Sequence, residues 1–201
     1  MASGALKKWV LAVLCGFAFA ATAEATQVIY VDDDAQAGGG GSSWTDACKH
    51  IQDALAIAAT AAKPVEIRVA QGVYKPDQGA GVTAGDRAAA FELLDGVLLK
   101  GGYAGAGAAD PNACDPERYE TVLSGDLKGD DVEVAEPNGL MSLFDEPMRA
   151  DNSAHVVVGS GVDDTAVIDG FVIAAGYSSP VPPSIGYDGG GMLNESGSPK
   201  V

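Results

Sequence analysis

Aliphatic residues in this chain come in brief bursts separated by long polar stretches, and that spacing restricts the available folds more than any other feature. Gln27–Val31, Val65–Val69, Gly96–Gly102, Thr121–Gly125, His155–Gly159 and Val167–Ile173 are short runs rich in Val, Ile and Leu, and Gly189–Asn194 opens another. Such runs have the length of single strands. In the second, Val65, Ile67 and Val69 alternate with Glu66 and Arg68, the period-two pattern of a strand with one buried face. Gly170 interrupts the run at 167–173 and is expected to bend it, with a register step that puts Ile168, Phe171 and Ile173 on one face. Stretches rich in Gly, Pro and Asp separate the runs at 75–90, 104–118, 126–153 and 177–188. One segment, Thr45–Ala62, has helical periodicity, with Trp44, Ile51, Leu55 and Ala58 on one side. Ser43 stands in the N-cap position, Asp46 in the first turn, and Pro64 ends the helix.

A single helix does not support a sheet built from repeated strand–helix units. An antiparallel sandwich needs tight turns between neighbouring strands, such as Asn-Gly, and Asn138-Gly139, the one Asn-Gly pair, lacks flanking alternation. Short strands, glycine at corners and loops of uneven length fit a parallel coil of stacked strands. The first turn of such a coil would expose an apolar end and unpaired backbone groups. An amphipathic helix laid across that end would cover it.

The charge balance narrows the function. Twenty-eight acidic residues face 12 basic ones, a formal net charge of −16 with a pI near 4.2. Nucleic-acid binding and docking on anionic membranes both rest on Lys and Arg, so neither is expected. Alanine makes up much of the 47% hydrophobic content, 27 residues are Gly, and aromatics are 6%, which suits a thin, repetitive core. Residues 1–23 read as a secretory signal: Lys7 and Lys8, then an apolar run Trp9–Ala20 too short to span a bilayer, then Ala21-Thr22-Ala23. Cleavage is expected before Glu24, an uncleaved N-terminal anchor being the alternative. The reading divides the chain into a signal at 1–23, a strand and capping helix at 24–63, and stacked rungs with long loops at 64–201. The product would be secreted or held at the cell surface, with no membrane span after cleavage. Cys48 and Cys114 would remain, either as one disulfide or as two separate buried thiols.

Several pieces follow one another in a distinctive order: Val31–Ala35, Gly41–Ala47, Ile51–Leu55, Glu66–Tyr74, Gly96–Tyr103, Leu123–Asp126, Ile168–Phe171 and Gly189–Met192. This order resembles the N-terminal part of extracellular right-handed parallel β-helix proteins of the kind abundant in planctomycetes and related bacteria. Those proteins belong to the pectin-lyase-like superfamily and are related to polymorphic outer-membrane-protein repeats. The resemblance implies an all-β fold, a right-handed parallel β-helix (solenoid) whose N-terminal rungs are capped by one amphipathic α-helix. It also implies polysaccharide or cell-surface components as partners. Similar chains continue for many coils past the Gly-Gly-Gly-Met segment. The expectation is therefore a chain truncated at its C-terminus, its open end covered by missing coils or by another chain.

Candidate chemistry lies in acidic runs. Asp126, Asp130 and Asp131 are the best calcium candidates, ahead of Asp32-Asp33-Asp34 and Asp163-Asp164. The competing reading is turn carboxylates that accept backbone N–H groups. No other cofactor is expected. Enzymatic members of the resembled superfamily often use calcium on acidic polysaccharides, and a lyase of that kind would need an Arg or Lys near the metal. Arg68 alternates outward on its strand, and Arg87, Arg118 and Arg149 are the other arginines. A hydrolase would need two carboxylates roughly 5–10 Å apart across a cleft. The net negative charge opposes acidic polysaccharide substrates. His50 and His155 lack metal spacing, Ser124-Gly125-Asp126 lacks a nucleophile elbow, and the glycine strings lack the Lys of a phosphate loop. The catalytic residues of an enzyme are therefore not identifiable. The expected function is an exported acidic β-helix module, non-catalytic, with a structural or carbohydrate-contact role. The alternative is a polysaccharide lyase or glycoside hydrolase whose active residues lie in missing coils.

Overall fold

The computed structural model describes residues 26–132, 147–178 and 190–201. Residues 1–23, read above as a signal, and parts of the polar stretches at 126–153 and 177–188 lie outside them. A run of two to seven aliphatic residues cannot bury a face by itself, so each strand gains stability through lateral pairing. In chain order the strands are β1 (Gln27–Val31), β2 (Val65–Ala70), β3 (Gly72–Tyr74), β4 (Phe91–Glu92), β5 (Val97–Tyr103), β6 (Thr121–Ser124), β7 (Val157–Val158), β8 (Val167–Asp169), β9 (Val172–Ala174) and β10 (Met192–Leu193). The helix α1 (Ile51–Thr60) lies between β1 and β2.

Three sheets result, ordered β1-β2-β5-β8, β3-β6-β9 and β4-β7-β10. Every pairing between these strands is parallel. From β2 onward the chain enters the first, second and third sheets in that order, and does so three times.

The registers align like residues. In the first sheet Ile29 faces Ile67, Ile67 faces Leu99, and Leu99 faces Ile168. None of these four is more than 3% exposed. In the second sheet Tyr74, Leu123 and Ile173 align, and in the third Phe91, Val157 and Met192. Eight of these ten side chains belong to one buried hydrophobic cluster and Ile173 and Met192 pack against it, so the three sheets share a core. The outward rows differ in character: Tyr30, Arg68, Lys100 and Asp169 on the first sheet, and Val73, Val122 and Val172 on the second. Near the chain end Lys200 forms a parallel bridge with Val167, and Ile168 N–H donates to Lys200 O at 2.9 Å.

The run at 167–173 is not one bent strand. Gly170, at φ 77°, turns the chain from β8 in the first sheet to β9 in the second. The corner is backbone against backbone: a Cβ on Gly101 would stand 2.5 Å from Gly170 O. Ile168 and Ile173 thus reach the common core from different sheets. The structure also adds β3 and β4, which the sequence reading does not contain as separate strands. The first is three residues long and the second only two, too short to impose a visible period.

The helix is shorter than the expected span from Thr45 to Ala62. Trp44–Asp46 is a separate 3-10 turn, and α1 starts at Ile51. Ser43 makes no side-chain capping bond. Between the two, the chain extends so that Cys48 N–H donates to Tyr30 O and Asp32 N–H donates to Cys48 O, both at 2.9 Å. Tyr30 N–H also donates to Gly41 O at 2.9 Å. A helix through 45–50 could not satisfy this edge of β1, because its backbone groups would be bonded internally. Trp44 consequently leaves the helix face and packs with Tyr103, Ala70 and Tyr30 in a second cluster. Asp46 fastens the loop by accepting from Ser42 Oγ at 2.7 Å and Gly40 N–H at 3.1 Å, and the Ser42 hydroxyl holds its carboxyl below the usual range. Coverage of β1 is shared: residues 41–48 pair its edge, and α1 brings Ile51, Ala54, Leu55 and Ala58 to the core.

Candidate functional site

Arg68 does project from the outer face of the first sheet, as the alternation predicts, but its charge is paired with Glu66. Its Nε and Nη2 donate to Glu66 at 2.9 and 3.3 Å, and Nη1 donates to Asn112 Oδ1 at 3.2 Å. The guanidinium also lies 5.9 Å from the Tyr30 ring centre and 5.5 Å from that of Tyr103. Tyr103 donates its hydroxyl to Glu66 Oε1 at 3.1 Å, and Trp44 Nε1 donates to Asn112 Oδ1 at 3.1 Å. The hydrogen bond to Glu66 raises the pKa of Arg68, keeping it charged. This is a tied lattice of ion pair, amide and aromatic rings, with the cation committed to neighbours.

Glu66 carries the pH dependence of that lattice. Burial pushes its carboxyl up, but the Arg68 hydrogen bonds and charge, together with the Tyr103 hydroxyl, bring it below the ordinary glutamate value. A lowered folded-state pKa means the pair stabilises the fold above the unfolded value of about 4.3 and loses that contribution as pH falls through the folded value. Glu66→Gln is expected to cost about 1–2 kcal/mol near neutral pH. Thermal unfolding at pH 7 and pH 3 checks this: the gap between variant and parent should shrink at the acidic end. An equal gap at both would contradict the ion-pair assignment.

The structure brings Asp126, Asp130 and Asp131 together, with one carboxylate oxygen of each lying within 4.8 Å of the others. Their roles differ. Asp126 Oδ1 accepts Gly129 N–H at 2.6 Å and Asp130 N–H at 3.2 Å, while Oδ2 accepts Asp131 N–H at 3.2 Å. Asp126 thus closes the turn after β6, the turn-carboxylate reading. Asp130 is exposed, and Asp131 Oδ2 accepts Asn152 Nδ2 at 2.8 Å. Asn152 is a participant the sequence reading missed.

Asp32, Asp33 and Asp34 also converge. Asp32 is 4% exposed and accepts Asp34 N–H at 3.1 Å and Ala106 N–H at 2.8 Å. Asp33 accepts Val73 N–H at 3.2 Å, and burial raises its pKa. Lys49 Nζ donates to the carbonyls of Asp33 and Ala35, placing an ammonium over this turn. Asp163 and Asp164 belong to no group of three or more potential metal-ligating His, Cys, Asp or Glu among the described residues. Asp163 accepts from Thr165, and Asp164 pairs with Lys200 at 3.3 Å. Neither acidic cluster contains His or Cys.

A cleft of about 430 Å³ between α1 and residues 80–94 has Asp86 and Glu92 as its ionisable lining groups. Asp86 accepts Ala88 N–H at 2.9 Å and so serves its own turn.

The two cysteines among the described residues are free, Cys48 buried and Cys114 exposed. Burial pushes the Cys48 thiol up to about 11, so its nucleophilic thiolate is suppressed at neutral pH. Iodoacetamide is expected to modify Cys114 in the native protein and Cys48 only after unfolding, which peptide mass mapping would show. Rapid native labelling of Cys48 would contradict this burial.

No family model, curated protein or solved structure matches the chain.

Proposed function

We propose that this chain is an exported, acidic, right-handed parallel β-helix module with a structural or carbohydrate-contact role at the cell surface, and that it is not catalytic. The supporting observation is the repeated passage through three parallel sheets that face one core. In this reading β2-β3-β4, β5-β6-β7 and β8-β9-β10 are successive rungs, each displaced by one strand spacing of about 4.8 Å. The right hand follows from the strong preference of parallel crossover connections. The motif order from Val31 to Met192 is consistent with the extracellular β-helix resemblance, and the export reading rests on residues 1–23. The non-catalytic reading draws on committed side chains: Arg68 is neutralised by Glu66, and Asp32 and Asp126 are spent on backbone amides.

A panel of neutral and acidic polysaccharides, incubated with the exported protein, tests this. The expected result is no release of reducing or unsaturated ends. Turnover that disappears with a single Asp, Glu or Arg substitution would replace this reading with a lyase or hydrolase.

A further inference from the structure

The geometry points to a divalent-cation site, best suited to Ca²⁺, formed by Asp131, Asp151 and Asn152. Asn152 is 0% exposed and follows directly on a 3-10 turn, Pro147–Asp151. Its amide nitrogen donates to Asp131 Oδ2, but its own Oδ1 has no partner. Asp131 Oδ1 and Asp151 Oδ2 are likewise buried without a hydrogen bond. Lys128 Nζ stands 3.6 Å from Asp151 Oδ2 as a loose ion pair, on a side chain that is 68% exposed and free to swing away.

Buried polar atoms are nearly always satisfied, so two unsatisfied oxygens, one on Asn152 and one on the carboxylate bonded to it, next in the chain to an Asp151 oxygen met only by a loose ion pair, require explanation. All three are acceptors, so they share a need for one kind of partner. A hard cation meets several such oxygens at once, whereas each added donor would meet one or two.

The frame is rigid. Arg87 Nε donates to Asn152 O at 2.7 Å, Asn152 N–H donates to Arg149 O at 3.2 Å, and Ser153 N–H donates to Gly125 O at 2.8 Å. That last bond ties the segment to the end of β6, beside Asp126. The site therefore overlaps the acidic cluster read from sequence but shifts its centre. Asp126 is occupied by three amides, while Asp151 and Asn152 enter from a distant part of the chain. Two carboxylates and a carboxamide on irregular loops suit the variable coordination of Ca²⁺ better than the strict octahedron of Mg²⁺.

The test uses the full exported chain, stripped with EGTA and titrated with CaCl₂ or MgCl₂ over roughly 10⁻⁵ to 10⁻² M. Thermal unfolding and calorimetry are read together. At a hundredfold excess over the dissociation constant, Ca²⁺ is expected to raise Tm by roughly 5–10 °C. Mg²⁺ should raise it less. Asn152→Leu and the near-isosteric Asp151→Asn should lose the response, and Asp164→Asn should keep it. Terbium luminescence at low temperature, with displacement by Ca²⁺, reports binding even where a variant is marginally stable. Absence of both heat and thermal shift in the parent protein would overturn the site. So would a Ca²⁺ response unchanged in Asp151→Asn and Asn152→Leu.

Discussion

Leu55→Asp is expected to destabilise the fold by roughly 3–5 kcal/mol, because it both removes apolar contact and buries a carboxylate. Leu55 is 7% exposed and lies on the face of α1 that joins the common core with Ile51, Ala54 and Ala58. Burial of a leucine alone contributes about 1.5–3 kcal/mol. The change would also lift the helix from the first strands and uncover an apolar end, so aggregation should accompany the loss of stability. Ala56→Asp is the matched comparison, since Ala56 sits on the exposed face of the same helix. Its cost should stay near the difference in helix propensity, about 0.5 kcal/mol. Thermal unfolding with light scattering distinguishes the two. Equal behaviour would mean that α1 does not cover the core.

Ile67→Ala should cost about 2–5 kcal/mol, with the exact value set by how far its neighbours close the gap. Ile67 is 0% exposed and lies in register between Ile29 and Leu99, so truncation opens a space inside the longest aligned row. Val73→Ala removes a side chain that is 53% exposed on the outward row of the second sheet. That change should stay within about 0.5 kcal/mol. Urea unfolding checks the pair: a lower midpoint with unchanged slope for Ile67→Ala, and nearly coincident curves for Val73→Ala. Similar costs at both positions would contradict the inward and outward assignment.

The strands whose spans are most legible in sequence are those where a side-chain pattern survives for five residues or more, while the runs around β6 to β9 show a strand without its bounds. The spans of β1 and β2 follow directly from Gln27–Val31 and the alternation after Val65, and β5 from the run between glycines. β4 leaves no such trace, since Phe91 and Glu92 amount to half a period on each face. Gly170 was visible as an interruption, but a bend within one sheet and a corner between two sheets have the same sequence signature. Trp44 follows the apparent helical spacing, yet the demand of β1 for an edge partner draws Gly41 and Cys48 alongside it, leaves Trp44–Asp46 as a short 3-10 turn between them, and sends the indole to the other side.

The same contrast holds for the candidate sites. The outward direction of Arg68 was readable from its strand. Its neutralisation depends partly on Asn112, which is 44 residues away in a polar stretch without periodicity. Asp126, Asp130 and Asp131 are close in sequence and so could be grouped at once. The bond from Asn152 to Asp131 spans 21 residues, and nothing local marks it.

Nuclear Overhauser contacts in methyl-labelled protein test the parallel stack most directly. The winding described above requires Ile67 methyl contacts to both Ile29 and Leu99, a Leu99 contact to Ile168, and no close Hα–Hα pairs between β2 and β5. Close Hα–Hα pairs between those strands, or an Ile67–Ile168 contact that bypasses Leu99, would contradict it.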